Sequence, residues 1–237
     1  MNGFELAARF SYITNSLRFC GPAESSQVFL DCITGSRNQE EVRSCIRRFE
    51  GLFPYLSAIA KKHGKDFLDP EVVESYWLGN SLLDSFTKED MEKIIMHLME
   101  RGLPASIGER LIKKMPDGAF PHHNFNVYHV GVGRITGKVE TTLSNMDNCR
   151  ISPGIIIEVR PSVLLVKTHC LKARAKGLYL GAEEIKTITY LESFLPDVKK
   201  GDAVALHWGF ACLKLSGEQQ NRLLEYDQRL LSILSFG

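Results

Sequence analysis

Apolar residues in the first half of the chain recur at helical spacing. Asn38, with Glu41 three residues on, makes a capping-box-like start, and Val42, Cys45, Ile46 and Phe49 follow at i, i+3, i+4 and i+7. Asp69-Pro70-Glu71 sets a capping side chain ahead of a proline at the first helical position, leading into Val72, Val73, Tyr76 and Trp77. Thr87 to Asp90 repeats the signal before Met91, Ile94, Ile95, Leu98 and Met99, and Gly102 supplies a stop. A shorter helix from Pro104 to Lys114 ends at Met115-Pro116-Asp117-Gly118. Residues 1–118 therefore read as five or six packed helices.

The period then changes. Phe125, Val127 and His129 alternate with Asn126 and Tyr128, and the pattern continues through Gly131, Gly133 and Gly137. Ile155–Ile157, Val163–Val166, Ile185–Tyr190 and Ala203–Leu206 are apolar, β-branched runs divided by turns such as Arg160-Pro161-Ser162 and Lys199-Lys200-Gly201-Asp202. Strands of this length and spacing predict a small antiparallel barrel. Ser216-Gly217-Glu218-Gln219 is a capping box for a last helix carrying Leu223, Leu224, Leu230 and Leu231. The expected class is α+β, with a helical domain over residues 1–118 and a barrel domain with a terminal helix over 119–237.

Composition narrows the function classes. The chain has 237 residues, 44% of them hydrophobic, and 29 basic against 28 acidic side chains leave a net charge of +1. That balance gives no polybasic surface to neutralise a phosphate backbone, so nucleic-acid binding is not expected. No apolar run approaches the roughly 18 residues of a membrane span, and the first residues do not form a signal peptide, which predicts a cytoplasmic protein. The six cysteines form no Cys-x-x-Cys pair, so neither a disulfide framework nor a zinc ribbon is indicated. Five of the seven histidines fall between residues 122 and 207. That clustering is where chemistry is to be sought.

Imidazole and thiolate together suit iron, nickel or zinc, and the candidate donors are His122, His123, His129, Cys149 and His207. In a straight strand His123 and His129 lie about 20 Å apart and cannot share one ion, while His122 and His123 point to opposite sides. Ligands must then converge from distant segments; alternatively, the histidines make structural hydrogen bonds. Beside Cys149, Arg150 either lowers the thiol pKa or simply stands exposed while the cysteine packs inward, and the second is the expectation. Tyr76 and Trp77 read as core. Glu183-Glu184 sits where a solvated turn is expected, and no phosphate loop or catalytic-triad spacing occurs.

Two resemblances extend this reading. Gly201-Asp202-Ala203-Val204-Ala205-Leu206-His207-Trp208-Gly209-Phe210-Ala211, then Leu213 to Ser216 and a helix, resembles the C-terminal half of the HypC/HupF family of hydrogenase maturation chaperones. Val130-Gly131-Val132-Gly133-Arg134-Ile135 is similar to that family's opening strand, with His129 falling at the position of its essential cysteine when one gap is allowed. The resemblance implies an OB-like barrel with metal chemistry near His129 and His207 and partner contacts at Trp208 and Phe210. The cysteine itself is missing, and the segment is internal. End to end, Ala8–Tyr12, Cys20-Gly21-Pro22, Phe49-Glu50-Gly51, Pro54–Leu56, Glu74–Asn80, Leu82–Asp84, Pro121–His123, Cys149–Ile151 and His207-Trp208 resemble a prokaryotic family of unknown function, which implies no activity.

The functional expectation is an accessory or maturation protein for hydrogenase or another metalloenzyme. Its barrel binds an iron fragment or a partner, a maturation factor or the hydrogenase large subunit. The alternative is a metal-dependent hydrolase or transferase using His122, His123 and Cys149 in a cleft between the two domains.

Overall fold

The computed structural model describes residues 1–35, 39–175 and 177–234. Helix α1 (Gly3–Ser16) starts where Asn2 accepts from the Glu5 N–H, and it buries Leu6, Ala7 and Phe10. It is followed by α2 (Ser25–Ile33), α3 (Gln39–Arg47) and α4 (Phe53–His63). The expected Asn38 cap lies outside the described residues. Helix α5 (Pro70–Leu78) is capped by Asp69, which accepts from the Glu71 N–H, with Pro70 at the first position. Helix α6 (Lys88–Met99) carries the full Thr87/Asp90 capping box. It gives way at Gly102, whose φ of +118° favours glycine. Helix α7 (Ala105–Lys113) completes a first half of seven helices among the described residues, more than the five or six expected.

The region between the two halves departs from the sequence expectation. His123–Phe125 is a helical turn, α8, that widens into a π-helical stretch over Asn126–Gly131, where a strand was expected. Helix α9 (Leu143–Cys149) follows, capped by Thr142. Alternation misleads here because the run from Pro121 to Phe125 is wholly buried and the half-buried Asn126 and Tyr128 that follow alternate with buried Phe125 and Val127 on a helical turn rather than a strand. A short apolar run of this length does not by itself separate strand from helix. The turn is opened by His122, whose side chain accepts from the Asn124 N–H.

Five strands then close a barrel: β1 (Ser152–Arg160), β2 (Val163–Arg174), β3 (Gly177–Thr189), β4 (Ala203–His207) and β5 (Phe210–Leu215), in the order β1-β2-β3-β5-β4. Neighbours are antiparallel except β3 and β5, which run parallel at Thr189 and Phe210, and β4 closes on β1 through Ser152–Ile155. Glu183 and Glu184 lie on β3, paired with Lys167 and Lys172, rather than in a turn. Helix α10 (Gly217–Leu234) starts on the expected Ser216/Gln219 box, with both reciprocal hydrogen bonds at 3.1 Å.

The main buried cluster draws on both halves, from Phe10 and Trp77 to Val204, Phe210 and Leu223. Gly79, at the end of α5, has a φ of +85°, and a Cβ there would fall 2.3 Å from the Tyr226 ring on α10. Only glycine lets those helices meet so closely. Helix α1 packs against β5, and the junction of helices with barrel is where the candidate donors collect. Among the described residues no helix is long and apolar enough to cross a membrane.

Candidate metal centre

Three of the five sequence-predicted donors converge. One ligand atom from each of His123, Cys149 and His207 lies within 4.8 Å of the others, and all three residues are buried. Each comes from a different element: His123 from α8, Cys149 from the last position of α9, and His207 from the last position of β4. Bonds of about 2.0–2.3 Å to one tetrahedral ion set donor atoms roughly 3.3–3.7 Å apart, so the group must draw in by about 1 Å to share an ion.

Hydrogen bonds hold both imidazoles, and leave one of them with an open nitrogen. His207 Nδ1 lies 3.1 Å from the Phe10 carbonyl of α1, so it carries the proton and donates. Its Nε2 is then a bare lone pair, buried and without a partner among the described residues. A backbone carbonyl fixing one ring nitrogen while the other stays open is the second-sphere arrangement of metal-ligating histidine. His123 lies between Tyr76 Oη, 3.1 Å from Nδ1, and the Cys149 carbonyl, 2.9 Å from Nε2. The Cys149 sulfur is 3.8 Å from the same Nε2. The Cys149 carbonyl can only accept, so Nε2 carries the ring proton; a metal at Nε2 must replace that hydrogen bond, with the proton moving to Nδ1, where Tyr76 Oη accepts it.

Electrostatics keeps the donors neutral until a cation arrives. Burial lowers the His123 pKa to about 4 and holds His207 well below the ordinary imidazole value, with the neighbouring His123 adding to the effect. Desolvation pushes the Cys149 thiol well above its ordinary value; hydrogen bonding from the Trp208 side chain acts the other way. Arg150 does not activate the thiol. It is 1% exposed and turned away into ion pairs with Asp147 and Asp227, correcting both sequence readings of that residue, while Cys149 does pack inward.

The three donors line a cavity of about 60 Å³ between the helices and the barrel, with walls that include Trp77, Ile135, Val139 and Trp208. Among the described residues no carboxylate and no Lys or Arg side chain lines it. Trp208 and Gly209 form the two-residue β4–β5 turn, both at positive φ (51° and 68°) as a type I′ turn requires. A tryptophan in that conformation is strained; the Asn148 carbonyl accepts its N–H at 2.6 Å, and Phe19 packs on its ring at 4.6 Å.

The other predicted residues stand apart. His122 lies parallel to the Tyr226 ring at 6.4 Å. His129, half-buried on the π-helical stretch, faces the Leu111 carbonyl at 3.2 Å and stacks on Phe125. Phe210 is 3% exposed and packs between Tyr12 and Phe194, inside the molecule. The sequence reading missed Tyr76 and Trp77 as walls of the site, and Cys20, which also lines the cavity. Their only signal was membership in the runs Glu74–Asn80 and Cys20–Pro22.

Fold and centre together define a helical protein joined to a closed five-stranded barrel, with a buried imidazole–thiol–imidazole group at the junction. The chain belongs to the family of unknown function DUF6390, whose family model matches residues 1–236. No curated protein and no solved structure matches it.

Proposed function

We propose that the protein binds one transition-metal ion through His123, Cys149 and His207 and serves as a metal-handling accessory protein for a metalloenzyme. The observation that carries the reading is the buried, partnerless Nε2 of His207, held open by the Phe10 carbonyl within 4.8 Å of an imidazole and a thiol. Buried polar atoms are almost always satisfied, and one left open beside two further donors fits a ligand waiting for its ion. Mixed nitrogen and sulfur donors favour zinc, iron or nickel. A cavity of about 60 Å³ suits an ion with little else, which favours metal handling over turnover of an organic substrate.

The strand order, the final helix and the place of His207 at the end of β4 support the OB-like, HypC-like reading of the barrel. On that reading the partner is a hydrogenase maturation factor or large subunit, and Trp208 is the side chain of the β4–β5 turn nearest the metal. Anaerobically purified protein is expected to retain about one iron, nickel or zinc per chain, and His207→Ala to lose it. Equal metal content in both overturns the metal reading. Pull-down from a hydrogenase-producing host is expected to recover a maturation factor or the large subunit; recovery of neither overturns the partner assignment.

A further inference from the structure

Three protein donors leave a tetrahedral ion one ligand short, and charge narrows what can complete it. A divalent ion with two neutral imidazoles and one thiolate carries a net +1. Among the described residues the cavity offers no carboxylate to offset that charge, and an uncompensated charge in an apolar enclosure is strongly unfavourable. Cys20 lines the same cavity from the loop between α1 and α2. Its thiol is desolvated, which pushes its pKa up to about 12, with the Glu50 charge adding to the rise. It is close enough that a thiolate there would raise the Cys149 and Tyr76 pKa values.

We propose that Cys20 is the fourth ligand, drawn in on loading to give a neutral, closed Cys2His2 site. The inference rests on the metal-binding reading above. Cys20 stands outside the 4.8 Å group, so its loop moves inward when the ion binds. Phe19, its neighbour, already packs on Trp208 over the site, so the movement is confined to the turn that carries Cys20. As each sulfur bonds the ion, its thiol proton leaves to solvent, so that two thiolates balance the divalent charge. The Trp77 indole N–H, buried in the wall and partnerless among the described residues, is a donor for the added sulfur. A second thiolate from the helical half makes the ion a staple between α1 and the barrel.

Cobalt(II) added anaerobically to the full chain provides the test. The wild-type adduct is expected to show four-coordinate bands and sulfur-to-cobalt charge transfer at the intensity of two thiolates. Cys20→Ser should halve that intensity and weaken binding at least tenfold. X-ray absorption of the wild-type zinc adduct, which needs no variant, should count two sulfurs. One sulfur, equal charge-transfer intensity in the two proteins, or a shift of the wild-type cobalt spectrum on adding azide would each overturn the assignment of Cys20 while leaving the three-donor site standing. Failure of wild-type protein to bind cobalt or zinc overturns both.

Discussion

Two buried polar clusters sit back to back at the junction of helices and barrel, and they are built on opposite principles. In the first, Asp227 accepts from Arg150 (3.2 Å), Asn124 (2.8 Å) and Tyr128 (2.6 Å). Asp147 accepts from Arg150, Lys186 and the Leu171 N–H, and the third Arg150 nitrogen donates to the His169 carbonyl. In the second, His207 Nε2 and the Trp77 indole are left without partners. Neighbouring residues in the chain serve both: His123 and Cys149 face the open cluster, Asn124 and Arg150 the closed one. The saturated network thereby fixes the backbone that presents two of the three donors. Saturated burial of charge specifies a structure, whereas burial left unsaturated is held in readiness for a ligand.

Breaking the closed cluster should have the largest effect. Asp227→Ala leaves the Arg150 guanidinium buried beside one remaining carboxylate, and removal of one partner from a buried pair is destabilising by about 3–5 kcal/mol. A urea midpoint should fall accordingly. In the open cluster Cys149→Ala should shift the metal-free protein by only about 1 kcal/mol, near the ordinary value for a point substitution. Equal losses in the two variants would erase the distinction between the clusters.

Metal should sharpen the contrast next. Zinc at a hundredfold excess over its dissociation constant should raise wild-type stability by about 2.7 kcal/mol, because only the folded chain assembles the site. Cys149→Ala should gain almost nothing under the same conditions, while a variant confined to the closed cluster should still gain. Calorimetric scans with and without zinc check both arms.

Asn124 joins the clusters, and its loss should register in both. Its side chain accepts from the Ile151 N–H at 2.8 Å and donates to the Ile151 carbonyl and to Asp227. Asn124→Ala leaves several buried groups unpaired, at about 1–3 kcal/mol. By loosening the segments that carry His123 and Cys149 it should weaken metal binding about 10- to 100-fold, the range seen when outer supports of a metal site are removed. Unchanged zinc affinity in a destabilised Asn124→Ala would separate the clusters functionally.

What could be read from the sequence divides along the same line. The starts of α5, α6 and α10 were legible because Asp69-Pro70, Thr87/Asp90 and Ser216/Gln219 act within a few residues. The strands of the barrel were legible from their apolar runs, and His207 from the motif around it. Residues 123–131 were misread because a short run of buried and half-buried positions looks the same on a strand and on a helical turn, and the partners that decide it are distant in sequence. Arg150 was expected at the surface because its partner Asp227 lies 77 residues away, and no local pattern announces such a pair. The convergence of His123, Cys149 and His207 has the same origin: it is a product of barrel closure and helix docking, not of spacing.

Acid should produce the most gradual effect, and it should act through the histidines. Burial depresses the folded-state pKa of His122 to about 3 and of His123 to about 4, from an unfolded value near 6.5. Between those limits the unfolded chain holds more protons than the folded one. Stability contributed by the neutral rings is therefore complete above about pH 6.5 and declines as pH falls toward 4, by up to about 1.4 kcal/mol per pH unit for each ring. Urea midpoints of metal-free protein measured from pH 7.5 to 4.5 should decline below about 6.5. His123→Asn, with one titrating ring fewer, should show a shallower slope even if its midpoint at pH 7.5 is lower. A wild-type midpoint that stays level across this range would mean that the rings take up protons in the fold as readily as in the unfolded chain, so that burial does not hold them neutral for an ion.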